Sequence, residues 1–266
     1  MDSGITTTRE IDHPPREFLE SIGKIFTTFG PATQDSGNIS YGVISEGERF
    51  FVKTTDPDAE VALDYPARVE LLRNAVRVSR SCNNAVLPKL QNVIESPHGP
   101  MLVYQWVDGD LLRAARQRFC DLPKEEIAFA LNQIFRLHSD LAAMSWVAVD
   151  FYDGCLIYDF SRRELHVVDL DGYHQGPFCN TMGRMYGSSR FMAPEEFEFG
   201  RQIDERTTVF TLGRTAAVLF SDGTLDRSAF LGSNAHYEVM VQACQSAPEN
   251  RFSSVREFYS AWQQAR

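Results

Sequence analysis

The sequence predicts an α+β fold in which a small β-rich part precedes a larger, mostly helical one. Three observations carry that expectation. Between residues 39 and 54, two runs rich in β-branched and aromatic residues flank Glu46-Gly47-Glu48, the pattern of a hairpin. Beyond Gly109 the apolar residues take helical spacing in five successive stretches. Strand-like and helical runs are therefore segregated along the chain rather than alternating, as in α+β domains and unlike a parallel α/β sheet.

Taken in order, residues 1–25 read as an N-terminal extension, with Pro14-Pro15 followed by a mixed segment, 16–25, suited to a short helix packed on the outside. The hairpin comes next. Ala67, Leu71, Ala75 and Val78 then predict a helix within 58–80, where Pro66 is tolerable only in the first turn. Strands are expected at 87–94 and 100–107, separated by the turn-like Ser96-Pro97-His98-Gly99. Helices are expected at 111–119, 124–141, 207–220, 236–245 and 255–264. There is no internal repeat and no low-complexity tract.

Composition bounds the function without selecting it. With 266 residues the chain can bury a substantial core, as one large domain or two lobes. A net charge of −10 argues against a generic nucleic-acid or anionic-membrane surface. Five cysteines, at 82, 120, 155, 179 and 244, form no C-x-x-C pair and are odd in number, so neither a zinc site nor a disulfide framework is expected. No apolar run suits a signal peptide or approaches the ~18 residues of a membrane span. The reading is a cytoplasmic protein with no membrane and no nucleic-acid partner.

Several short strings bear chemistry. Arg49-Phe-Phe-Val-Lys53 is a strand that delivers an ammonium to a sheet edge, where a phosphate could meet it; a lysine snorkelling to the surface is the competing reading. Ala148-Val149-Asp150 follows the long helical stretch, and a β-run from Glu164 ends in Asp169-Leu170-Asp171-Gly172, which alone could be an Asp-rich turn. Then come Gly187-Ser188-Ser189-Arg190-Phe191-Met192-Ala193-Pro194-Glu195, Thr211-Leu212-Gly213, and Pro248-Glu249-Asn250-Arg251-Phe252. Strand lysine, catalytic loop, metal-binding aspartate and Ala-Pro-Glu stand in the order that protein kinases show. From about Gly30 onward the chain resembles the protein kinase-like superfamily, in particular the bacterial-type serine/threonine protein kinases with a divergent catalytic loop.

That resemblance implies a two-lobed fold, with a small nucleotide-binding lobe over 26–104, a hinge at 105–108 and a large helical catalytic lobe over 109–266. It implies ATP with Mg²⁺, or Mn²⁺, as cofactors. Lys53 would pair with phosphate oxygens and with Glu70 on the following helix, Glu60 being the alternative partner. Asp35-Ser36-Gly37-Asn38, flanked by Gly30 and Gly42, stands where a phosphate-covering loop belongs, and Gly37 would let backbone N–H groups approach phosphate; an ordinary hairpin turn competes. Backbone groups of Gln105 and Val107 would meet adenine. Asp150 would take the acceptor proton, Asp169 would hold the metal, and Glu195 would form a buried ion pair with Arg251. Ser188 matches the residue that contacts the catalytic Asp in Ser/Thr-directed members.

Departures from the pattern bear on activity. Ala148, Val149 and Cys155 replace the usual His, Arg and Asn, and a soft thiol is a poor ligand for Mg²⁺, so Asp153 or Asp171 would have to supply the missing oxygen. Without the Arg, nothing beside Asp150 would bind a phosphate on the activation segment. Thr207 takes the place of an Asp that normally accepts hydrogen bonds from the catalytic-loop backbone. Three functions follow from the resemblance: a kinase acting on a protein Ser or Thr, its protein substrate unidentified; a pseudokinase that binds nucleotide or protein without transfer; and a small-molecule kinase of the aminoglycoside type, whose relatives generally lack an Ala-Pro-Glu segment.

Overall fold

Glu46 and Gly47 adopt φ of 53° and 83°, so the hairpin closes through a two-residue turn in which both central residues are left-handed. A glycine takes that conformation without strain, and the strands on either side pair in full register from Asn38↔Thr55 to Ser45↔Glu48. The computed structural model describes residues 4–30, 37–60 and 63–265, and in it the chain divides into two compact units, Met1–Val107 and Asp108–Arg266.

The first unit runs α1 (Pro15–Ile22), β1 (Lys24–Phe29), β2 (Asn38–Ser45), β3 (Glu48–Thr55), α2 (Tyr65–Ser81), β4 (Leu90–Ser96) and β5 (Gly99–Gln105). Its strands form one antiparallel sheet in the order β1-β2-β3-β5-β4. Alternation along each strand sends side chains to two faces. On one face Tyr41, Val43, Val52 and Val103 pack under Phe18 and Leu19 of α1; on the other, Leu102 meets Leu72, Ala75 and Val76 of α2. Asp64 caps α2 by accepting the Ala67 N–H at 2.9 Å, and Pro66 falls in the first turn, where its missing N–H does no harm. The first 25 residues belong to this unit: Ile11 N–H donates to Glu95 O and Glu95 N–H to Arg9 O, so residues 9–11 lie parallel along the outer edge of β4.

The second unit runs β6 (Asp110–Leu111), α3 (Leu112–Cys120), α4 (Lys124–Ala143), β7 (Trp146–Val147), β8 (Leu156–Asp159), β9 (Glu164–Val167), β10 (His174–Gln175), β11 (Phe178–Cys179), β12 (Gln202–Ile203), α5 (Glu205–Leu219), α6 (Asn234–Ala243) and α7 (Val255–Gln264). Twelve of the fifteen residues of α5 are buried, as in a helix enclosed on all sides, and α4 and α7 pack together through the rings of Phe135, Phe258 and Trp262. The segregation expected for α+β is present. No helix among the described residues is long and apolar enough to cross a membrane.

Candidate functional site

In the first unit Lys53 is only 8% exposed, which removes the reading of a surface lysine. It lies opposite Ser40 on β2 and Leu102 on β5, hence on the face that α2 covers. Glu70 is not on that face. At 100° per residue the buried positions 68, 72, 75 and 76 define one stripe of α2, and position 70 falls on the far side of the helix. There its carboxylate takes the Arg77 guanidinium at 2.7 Å, with both side chains more than half exposed. Glu60 precedes the helix and is exposed.

The inward position near the start of α2 belongs instead to Arg68. It donates to Gly37 O at 2.5 Å and to Asp56 O at 2.7 Å, tying the start of β2 to the end of β3. Gly37 has a left-handed φ of 70°, while Asp35 and Ser36 lie outside the described residues. The Gln105 N–H already donates to Lys89 O, so Gln105 has at most its carbonyl to offer a base. Val107 follows Trp106, whose N–H donates to Arg49 O.

In the second unit, two short loops bring the aspartates together. Strand β7 leads through Ala148, whose N–H is held by Thr208 Oγ1 of α5 at 3.0 Å, into Asp150 with φ of 59°. The hairpin of β8 and β9 then returns the chain, and the Val168 N–H donates to Cys155 O at 2.8 Å. Asp169 follows, exposed and with φ of 63°. Left-handed non-glycine residues are uncommon and collect at turns and functional sites, although Asp tolerates the state better than most. At Gly172 a Cβ would lie 3.2 Å from Val149 O, which places the Asp169–Gly172 turn against the Asp150 loop.

On another side of Asp150 stands Gly187, at φ of 131°, where a Cβ would come within 3.5 Å of Asp150 Oδ1. Ser188 is therefore next in the chain to a residue bordering the candidate base. Tyr152, which nothing in the sequence singled out, also belongs here: burial, together with the charges of Asp150 and Asp169, pushes its hydroxyl up to about 12, so it stays protonated.

The oxygen donors expected for a metal are only partly available. Cys155 turns its thiol to Asp150 O at 3.4 Å. Asp153, expected as a substitute ligand, is fully buried, and one terminal nitrogen of Arg190 reaches both of its oxygens, at 2.9 and 2.7 Å. Its carboxylate is committed to an ion pair, a pairing the sequence did not disclose. Asp169 is exposed and Asp171 half-buried. Among the described residues no three His, Cys, Asp or Glu side chains converge on a metal position. Mg²⁺ carried by a nucleotide needs only one or two carboxylates besides phosphates and waters, and Asp169 and Asp171 are the residues of this turn that could hold one; a cage built from protein alone is not formed among the described residues.

The frame behind these loops is complete. Glu195 and Arg251 are 2% and 0% exposed and joined at 2.7 and 2.9 Å, with further Arg251 donors on Gln245 O, Arg206 O and Ser246 O. Removing one partner of such a pair costs roughly 3–5 kcal/mol, because the other charge is left buried. Thr207, which stands where the resemblance would place an Asp, is bound within this frame. As third residue of α5 it accepts the Asp204 N–H and donates to Glu195 Oε1 at 2.8 Å, while the Ala148 N–H before Asp150 is held by its neighbour Thr208.

In comparisons with known proteins the chain matches no protein-family model and no curated protein sequence.

Proposed function

We propose that the protein is a phosphotransferase of the protein kinase-like kind, moving the γ-phosphate of ATP to a hydroxyl of a protein substrate. The observation that carries this reading is the juxtaposition of Asp150, the Asp169 turn and Gly187-Ser188 on a frame fixed by the Glu195–Arg251 pair. Asp150 would orient the acceptor hydroxyl and take its proton as that oxygen bonds to the γ-phosphorus, while the bond to the oxygen bridging the β- and γ-phosphates breaks and ADP leaves. Asp169, with Asp171 beside it in the chain, would hold the metal that accompanies the nucleotide, and that metal would supply charge neutralisation on the phosphates. Lys53 is assigned to phosphate oxygens. Catalysis of this kind rests on positioning and charge rather than on a covalent intermediate.

A second reading, a module that binds without transferring phosphate, draws on two observations: Cys155 presents sulfur where an amide oxygen is usual, and Glu70 faces away from Lys53. Incubation with γ-labelled ATP and Mg²⁺ or Mn²⁺, with generic protein acceptors and with aminoglycosides, separates the readings. Label on protein that is lost in Asp150→Ala and Asp169→Ala supports transfer to protein, and label on the aminoglycoside supports the small-molecule kinase. No label with either metal, alongside a nucleotide-induced rise in melting temperature, supports the binding module.

A further inference from the structure

Two arginines beside the Asp150 loop have no carboxylate partner among the described residues. Arg184 is exposed; it donates to Met185 O at 3.4 Å and Gly187 O at 3.3 Å, and its guanidinium carbon lies 5.9 Å from the Phe197 ring. Since Gly187 borders the Asp150 carboxylate, these bonds anchor a positive charge on the rim of the candidate base. Arg113 is exposed in the first turn of α3, the helix that packs on the turn at 153–155, and at the Tyr152 hydroxyl its charge opposes those of Asp150 and Asp169.

Elsewhere in the same unit Arg118, Arg163, Arg190, Arg206 and Arg251 each stand against a carboxylate, while Arg116, Arg214 and Arg227 are held by carbonyl or amide oxygens away from the Asp150 carboxylate. Arg190 is near the same loops, but Asp153 already matches its charge. In a chain with 36 acidic and 26 basic side chains, exposed guanidinium groups that no carboxylate among the described residues matches, beside a candidate base, are not explained by a general basic surface. Long-range repulsion between this acidic protein and an acidic ligand is screened beyond ~8 Å at physiological ionic strength, whereas contacts at the rim act within that distance.

We propose that Arg113 and Arg184 select the acceptor, and that it is an acidic protein segment in which the hydroxyl is flanked by carboxylates. The assignment rests on the phosphotransferase reading of Asp150. Guanidinium forks match carboxylates geometrically, and such groups at the edge of a site discriminate between substrates rather than drive the chemical step. Arg113 and Arg184 are specificity residues in this scheme, and neither takes part in proton transfer.

The test uses two fluorescein-labelled peptides, a serine flanked by glutamates and the same serine flanked by alanines, titrated with the full chain by fluorescence anisotropy. Tighter binding of the acidic peptide, by about tenfold and diminishing at 0.5 M salt, is expected for two exposed charge pairs. The double variant Arg113→Gln/Arg184→Gln should lose the preference at an unchanged melting temperature, and Arg113→Lys/Arg184→Lys should keep part of it. In transfer assays the Gln variant should raise KM for the acidic peptide and leave kcat alone. Equal binding of both peptides, or a preference that survives in the Gln variant, overturns the assignment whatever the transfer assays give. Selective binding without label transfer to either peptide overturns the phosphotransfer reading and leaves the acidic recognition standing.

Discussion

Glu196 is next in the chain to Glu195 of the Glu195–Arg251 pair and has no salt-bridge partner among the described residues. It is 2% exposed, its Oε2 accepts the Ala193 N–H at 2.6 Å, and burial pushes its carboxyl up to about 8, with the charges of Glu195 and Asp150 acting in the same direction and the Ala193 bond opposing. An unfolded glutamate loses its proton near pH 4.5, so between about 4.5 and 8 the folded protein holds a proton that the unfolded chain has released, and stability falls as pH rises through that window. Glu196→Gln keeps an oxygen for the Ala193 N–H and removes the titration. Urea unfolding at pH 5, 6.5 and 8 should show the variant gaining on the wild type by an amount that grows to the order of a few kcal/mol and is constant above pH 8. Parallel stability curves would show that Glu196 titrates normally. At this scale the sequence revealed Glu195 and Arg251, because an ion pair needs only two residue types at recognisable places. It did not reveal Arg68, since an arginine among apolar neighbours gives no sign of which carbonyls it will meet.

Helices expose the limit of such reading more clearly. The existence of α2, α4, α5 and α7 follows from spacing, but the face each turns inward is fixed by the cap and the packing: α2 starts at Tyr65, several residues inside the predicted range, and that start belongs with Arg68 inward and Glu70 outward. One residue, 100°, likewise separates Thr207, which meets Glu195, from Thr208, which holds the Ala148 N–H. Thr208→Val conserves shape but leaves the Ala148 N–H buried without its acceptor, which costs about 1–3 kcal/mol. Thermal unfolding should show that loss, and transfer activity should fall further than stability because Ala148 leads directly into Asp150. The long helix α4 makes a comparable link: His138 accepts the Tyr173 hydroxyl at 2.7 Å, donates to Ile134 O at 2.8 Å and packs at a tilt against the Phe151 ring, so one buried imidazole touches the residue after Asp150 and the residue after Gly172. Its pKa, lowered to about 4 by burial, keeps it neutral in that place.

Across the whole molecule the segregation of β and α was legible because period-two and helical runs do not alternate along this chain. The hairpin from Asn38 to Thr55 was the most legible part, since Gly47 and the β-branched runs specify both turn and register. Less was legible wherever pairing is decided by tertiary context. Strand β1 carries an ordinary mixed sequence, Lys24–Phe29, and owes its extended form to β2; the two-residue strands of the second unit are below any periodic signal. Residues 9–11 belong with these, being too short to announce a strand and yet laid along β4, with Asn92 donating to Ile5 O and Thr8 O and accepting from Arg9. Their contribution goes beyond the local bonds. Without them β4 would present a row of open N–H and C=O groups to any other extended chain, the geometry from which sheet-to-sheet association begins. A form of the protein lacking residues 1–13 should therefore associate at micromolar concentration where the full chain does not, as light scattering would register. Those few residues close an edge that the sheet would otherwise leave open, a contribution separate from any chemistry at Asp150.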